Sequence, residues 1–186
     1  MKNRVWVAVF AALIGGMVLG GAVALSAQNM HGHGHMMHDE ANMPGLRGEN
    51  ATVLESEELA VLFQNFDTLS REVENLPNGI RTVTRSSDPA VMDALVSHAA
   101  GMIDRVHAQD DPKIRIQSPT LDAFFLHGDE IVSEVDVTDG GLVVTQTTDN
   151  PALVAALHVH AAEVSAMADR GMAAVHEMMM ERGSGH

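Results

Sequence analysis

Between Leu59 and Leu76 the apolar positions fall at Leu59, Leu62, Phe63, Phe66, Leu69, Val73 and Leu76, in steps of three and four. That period marks one face of an amphipathic helix and predicts a helix over 56–76, with Ser56 as its N-cap. Pro77-Asn78-Gly79 supplies helix-ending, turn-forming chemistry. The Val and Thr residues within 80–85 predict a short strand. Asp88 then caps a second helix, with Pro89 in its first turn, where a missing N–H costs nothing. Its stripe is Val91, Leu95, His98, Met102 and Val106, and a linker runs from Gln109 to Pro119.

The same plan returns 62 residues later without a gap. Phe63, Asp67, Glu72, Val73, Gly79, Pro89, Ala90, Ala94, Leu95, His98, Ala99 and Ala100 recur as Phe125, Asp129, Glu134, Val135, Gly141, Pro151, Ala152, Ala156, Leu157, His160, Ala161 and Ala162. A fixed period is the mark of a duplicated structural unit. The second copy predicts a helix over 119–136, a turn at Asp139-Gly140-Gly141 and a strand at 142–147. A last helix follows, capped by Asn150 and reaching about Glu181, with Gly171 as a weak point. Alone, Ile131 to Thr147 also reads as a β-hairpin, because Asp-Gly between apolar runs is a strong hairpin signal. Alignment with the helical period of 56–76 decides for the helix.

The expected fold is therefore α+β and mostly helical. It has two pseudo-symmetric helix–strand–helix repeats, 56–108 and 118–181, with four packed helices and a two-stranded antiparallel ribbon. The lone strands pair with each other, since neither can leave both edges open. Ahead of this domain, residues 28–54 read as a disordered His/Met-rich tether, and 182–186 as a disordered tail.

The runs LPNGIRTVTRSSDPAVMDALVSHAAGM, IRIQSPTLDAFFLHGDEIVSEV and TTDNPALVAALHVHAAEVSAMADRGM resemble an uncharacterised family of exported bacterial proteins. The likeness spans about residues 58–175 and lies in the punctuation. Two copies of a helix are each followed by an Asn-Gly-turn strand and a helix capped by Ser-Asp-Asp-Pro. The resemblance implies architecture and export, and no activity. It also implies a histidine shortly before each repeated aspartate. His127 meets that pattern before Asp129, whereas Phe66 stands before Asp67.

Lys2 and Arg4 precede an uncharged run from Val5 to Leu25, which leads to the small residues Ser26 and Ala27. That is the layout of a secretory signal, residues 1–27. The run is also long enough to cross a hydrocarbon core of roughly 30 Å as an uncleaved anchor. Either form predicts export to the periplasm, free or held at the inner membrane. Beyond residue 27 stand all 25 acidic residues against nine basic ones, a net charge of −16 with histidines neutral. Such a surface repels phosphate backbones and argues against a nucleic-acid partner. The absence of cysteine removes disulfides, thiolate ligands and thiol nucleophiles.

The candidate chemistry is histidine chemistry. His98 and His160 sit at equivalent places on apolar stripes, each followed by Ala-Ala. Neutral imidazoles bind metal or haem through one nitrogen. Asp67 and Asp129 are the repeated carboxylates that could complete or orient such a site. The same histidines could instead be core residues. In the tether, His31, His33, His35, His38, Met36 and Met37 fall within eight residues. Imidazole with thioether suits copper in both oxidation states, with zinc or nickel as imidazole alternatives. His176, with Met172, Met179 and Met180 on one helix face, repeats the chemistry near the C-terminus. His107 and His158 fall on the opposite helix faces and are expected to be solvated. There is no Ser-His-Asp pattern, phosphate-cradling glycine loop or HExxH. The sequence thus points to an exported, non-catalytic metal-binding protein of the envelope, copper first. The alternatives are a structural or partner-binding protein with His98 and His160 in its core, and a haem-binding electron-transfer protein with those two as axial ligands.

Overall fold

The computed structural model describes residues 43–183. The predicted signal, the tract at 31–38 and the tail beyond 183 lie outside these residues. The element order is α1 (Val53–Gln64), β1 (Leu69–Leu76), β2 (Gly79–Ser86), α2 (Pro89–His107), α3 (Thr120–Leu126), β3 (Val132–Thr138), β4 (Gly141–Thr147), α4 (Pro151–Arg170) and α5 (Met172–Gly183). Short 3-10 turns at Phe66–Thr68 and Gly128–Glu130 lead into β1 and β3. The fold is α+β, with five α-helices and one four-stranded antiparallel sheet among the described residues, in the order β1-β2-β4-β3.

The predicted helices over 56–76 and 119–136 are corrected. Each stops halfway and becomes a strand, so the hairpin reading of 131–147 is the right one. Four strands replace the expected two-stranded ribbon, and five helices the expected four. The cause is local. Asn65 turns its amide onto Val61 O at 2.8 Å, and the Thr68 hydroxyl donates to Asn65 O at 2.8 Å. Such side-chain bonds to nearby backbone compete with helix continuation. In the second half, a side chain at Gly128 would stand 1.7 Å from Val106 O, so the chain turns there tight against α2. Within β1, alternation puts Leu69, Arg71, Val73 and Asn75 on the helix-covered face, where Leu69 and Arg71 are half-buried and Val73 and Asn75 stay exposed. A charged residue on the inner face leaves Leu69, Val73 and Leu76 looking like a helix period.

The expected antiparallel pairing of 80–85 with 142–147 holds, with Thr82 directly opposite Val144. Gly79 and Gly141 explain themselves at this junction. A side chain at Gly79 would meet Gln146 O at 1.9 Å, and one at Gly141 would meet Thr84 O at 2.6 Å. Close approach of the two central strands demands glycine at both turns.

α1 begins at Thr52 rather than Ser56. Thr52 and Glu55 form a reciprocal capping box, Glu55 N–H to Thr52 Oγ1 at 3.2 Å and Thr52 N–H to Glu55 at 2.7 Å. Asp88 and Asn150 cap α2 and α4 as expected, each ahead of a proline. Residues 43–54, expected to belong to the disordered tether, are structured: Met43 and Leu46 are buried and Gly48 bridges to Ile114. Gly171, at φ 55°, divides the expected last helix into α4 and α5.

α4 lies across β1 and β2, and α2 packs on β2 and β3. Ile80, Val106, Phe124, Phe125, Ile131, Leu153, Leu157 and Ala161 form the core between helices and sheet. The opposite sheet face carries Glu72, Glu74, Arg81, Glu134 and Asp136, all exposed. α4 is long and apolar enough to cross a membrane, the one such helix among the described residues. Its Leu153, Leu157 and Ala161 are instead spent on the core.

Candidate functional site

The two repeated histidines sit mid-helix, His98 on α2 and His160 on α4, and both turn inward. Their side chains keep only 19% and 25% of their surface. His98 Nδ1 lies 3.9 Å from an oxygen of Glu58, which α1 delivers. Glu58 is itself buried, and its other oxygen accepts the Ser97 hydroxyl. His160 Nδ1 lies 3.9 Å from Glu163 Oε2, one turn along α4. Glu163 Oε1 accepts the Ser118 hydroxyl at 2.7 Å. A separation of 3.9 Å is too long for a hydrogen bond. Both Nδ1 atoms and Glu163 Oε2 are thus buried polar atoms without a hydrogen-bond partner.

Arg71 shares this interior. Its guanidinium donates to Thr84 Oγ1 at 2.7 Å, while its Nε has no partner. Burial pushes Arg71 down to about 10, so it stays charged at neutral pH. Burial pushes His98 down to about 4, against an opposing pull from Glu55. His160 is likewise pushed down to about 4 by burial, then by the charges of Arg71 and His98. Both imidazoles are therefore neutral at physiological pH. The Phe124 ring meets His160 edge-on, with centroids 5.4 Å apart and planes at 87°.

Neutral imidazoles can ligate, but ligation needs converging donors. Asp67 and Asp129 do not supply them. Both are exposed on the 3-10 turns, and the carboxylates within 4 Å of the histidines are Glu58 and Glu163. Among the described residues no three His, Asp or Glu side chains form a group that could hold a metal ion. Glu58 carried no legible signal, because it belongs to repeat one alone and reaches His98 through helix packing. Glu163 stands out only by its place one turn after His160.

Two histidines expected to be solvated are not. His158 Nε2 meets the carbonyls of Leu76 and Gly79 at 3.2 and 2.9 Å, bracing the β1–β2 turn. His107 Nε2 lies 3.3 Å from Ile131 O. His127 pairs with Glu130 at 2.9 Å rather than with Asp129, and Glu130 also accepts from Asn150. Two shallow clefts, one lined by Asp111, Lys113 and Gln117 and one by Glu130, Asp149 and Asn150, include neither His98 nor His160.

No family model, curated protein or solved structure matches this chain. The functional reading therefore rests on the residues and their geometry.

Proposed function

We propose that this is an exported, non-catalytic metal-binding protein of the cell envelope, with copper the preferred metal. The donors are those of the N-terminal tract, His31, His33, His35 and His38 with Met36 and Met37. The observation that carries the reading is their density, six imidazole and thioether donors within eight residues of a cysteine-free, acidic chain. Imidazole suits Cu(II) and thioether suits Cu(I), so such a tract can hold copper in either state. The positively charged start and long apolar run of residues 1–27 support export.

The folded domain is on this reading a carrier built from a duplicated unit. Two observations support the duplication. The two hairpins pair in one register once numbers are offset by 62, as in Val73 with Thr82 and Val135 with Val144. Thr82 also faces its own equivalent, Val144, across the centre of the sheet. In this carrier His98 and His160 are core residues. Each has one carboxylate at 3.9 Å and no third donor, which favours the core role over ligation of copper or haem.

Titration of the full chain with Cu(II) tests the assignment. Replacing His31, His33, His35 and His38 with Asn removes at least one copper equivalent. The Tm of the apo-protein stays unchanged, because residues 31–38 offer almost no apolar surface to the core. Unchanged stoichiometry in that variant would overturn the reading.

A further inference from the structure

α5 carries a second set of metal donors along one flank, two of them exposed and two half-buried. Its buried residues are Ala174 and Val175, preceded by the buried Gly171 at the junction with α4. At about 100° per residue these three centre on one side of the helix. Met172, His176, Met179 and Met180 fall within about 100° of each other on the flank beside this buried side, Met172 and His176 half-buried there. Met179 and Met180 are 46% and 75% exposed. Core packing therefore does not account for these two thioethers. Met172 stands one turn before His176, and Met179 and Met180 one turn after, so the thioethers bracket one imidazole.

The rotation of α5 is fixed at its start. The Phe66 ring lies against Gly171, where a side chain would meet it at 2.7 Å. Arg170 and Glu177 are joined by an ion pair across the α4–α5 junction. Those contacts, with Ala174 and Val175 inward, set the His/Met flank at the edge of the packed surface, with Met179 and Met180 exposed.

We propose that α5 carries a Cu(I) site formed by His176 and the thioethers of Met172, Met179 and Met180. Thioether sulfur is a soft, neutral donor that favours Cu(I) over Cu(II), zinc or nickel. One imidazole with two or three thioethers gives the low coordination number that Cu(I) accepts. The choice of metal rests on the copper reading of the N-terminal tract, but the donors are a separate set.

The test uses the full chain and anaerobic Cu(I), with bicinchoninate as the competing chelator. Three variants are compared with wild type. The tract variant carries His→Asn at 31, 33, 35 and 38 with Met36→Leu and Met37→Leu. The tail variant carries Met172→Leu, Met179→Leu and Met180→Leu, which keep helix propensity and apolar bulk. The third is His176→Gln. The tract variant is expected to retain one competitor-resistant Cu(I), and the tail variant to lose it. His176→Gln weakens that site at least about tenfold, as loss of the only imidazole donor requires. Unchanged Cu(I) binding in the tail variant overturns the α5 site, and so does complete loss in the tract variant. Unchanged Cu(II) binding in the tract variant overturns the tract reading alone. If the tail variant loses helicity by circular dichroism, the tract variant with 13C-methyl methionine is titrated with Ag(I). Movement of the Met172, Met179 and Met180 resonances first supports the site, and movement of other methionines first overturns it.

Discussion

His98 and His160 set the acid response of the fold. Each is held near 4 in the folded protein, against 6.5 for a free imidazole, chiefly because burial penalises its charged form. Between about pH 6.5 and 4 the unfolded chain binds protons that the folded protein refuses. Stability therefore falls as pH falls through that window, and this contribution levels off below it. The loss is roughly 1–3 kcal/mol per imidazole, since partial exposure of each ring softens the full effect. Urea unfolding at pH 7, 5.5 and 4 measures it. His98→Leu with His160→Leu should flatten the slope. At pH 7 the same pair should change stability by less than about 1.5 kcal/mol, because neither Nδ1 has a hydrogen-bond partner to orphan. A steep slope that survives the double substitution would assign the acid response to other groups. The histidines were legible in the sequence because duplication repeats them. Their carboxylates were less so: Glu163 is legible only as the residue one turn after His160, and Glu58 not at all, since only the packing of α1 on α2 brings it to His98.

At the scale of elements, the punctuation was legible and the continuity was not. Asp88-Pro89 and Asn150-Pro151 start helices because their side chains bond the N–H two residues on. The turns at Gly79 and Gly141 were read correctly because Pro-Asn-Gly and Asp-Gly-Gly are turn-forming in themselves. The strands β1 and β3 escaped because inner-face Arg71 breaks the apolar alternation, and because Asn65 and Thr68 end α1 through side-chain bonds that periodicity does not register. Favouring the helix over the Asp-Gly hairpin carried the error from one copy to the other. The glycines offer a sharp check on the corrected sheet. Gly79→Ala forces backbone apart at the β2–β4 junction and should cost about 3 kcal/mol or more. Gly101→Ala, at a helical glycine with open space around it, should instead stabilise by up to about 1 kcal/mol. Chemical denaturation of both variants measures this, and equal effects would contradict the strand packing. Thr52→Ala removes one arm of the capping box and should cost about 1 kcal/mol by the same assay.

At the scale of the whole molecule, the proposed metal donors stand apart from the packed core. On the proposed reading, residues that recur at a spacing of 62 serve turns, caps and core, while the proposed copper donors belong to the N-terminal tract and to α5. Metal loading should therefore leave the hairpin registers intact. In amide hydrogen exchange, protection of β2 and β4 should be the same with and without copper, and altered protection there would place metal in the core. The most direct measurement is elemental analysis of the protein isolated from its native compartment without added metal or chelator. The account predicts at least one copper per chain and no stoichiometric haem iron. Protein free of copper, or carrying haem iron in equal amount, would contradict it.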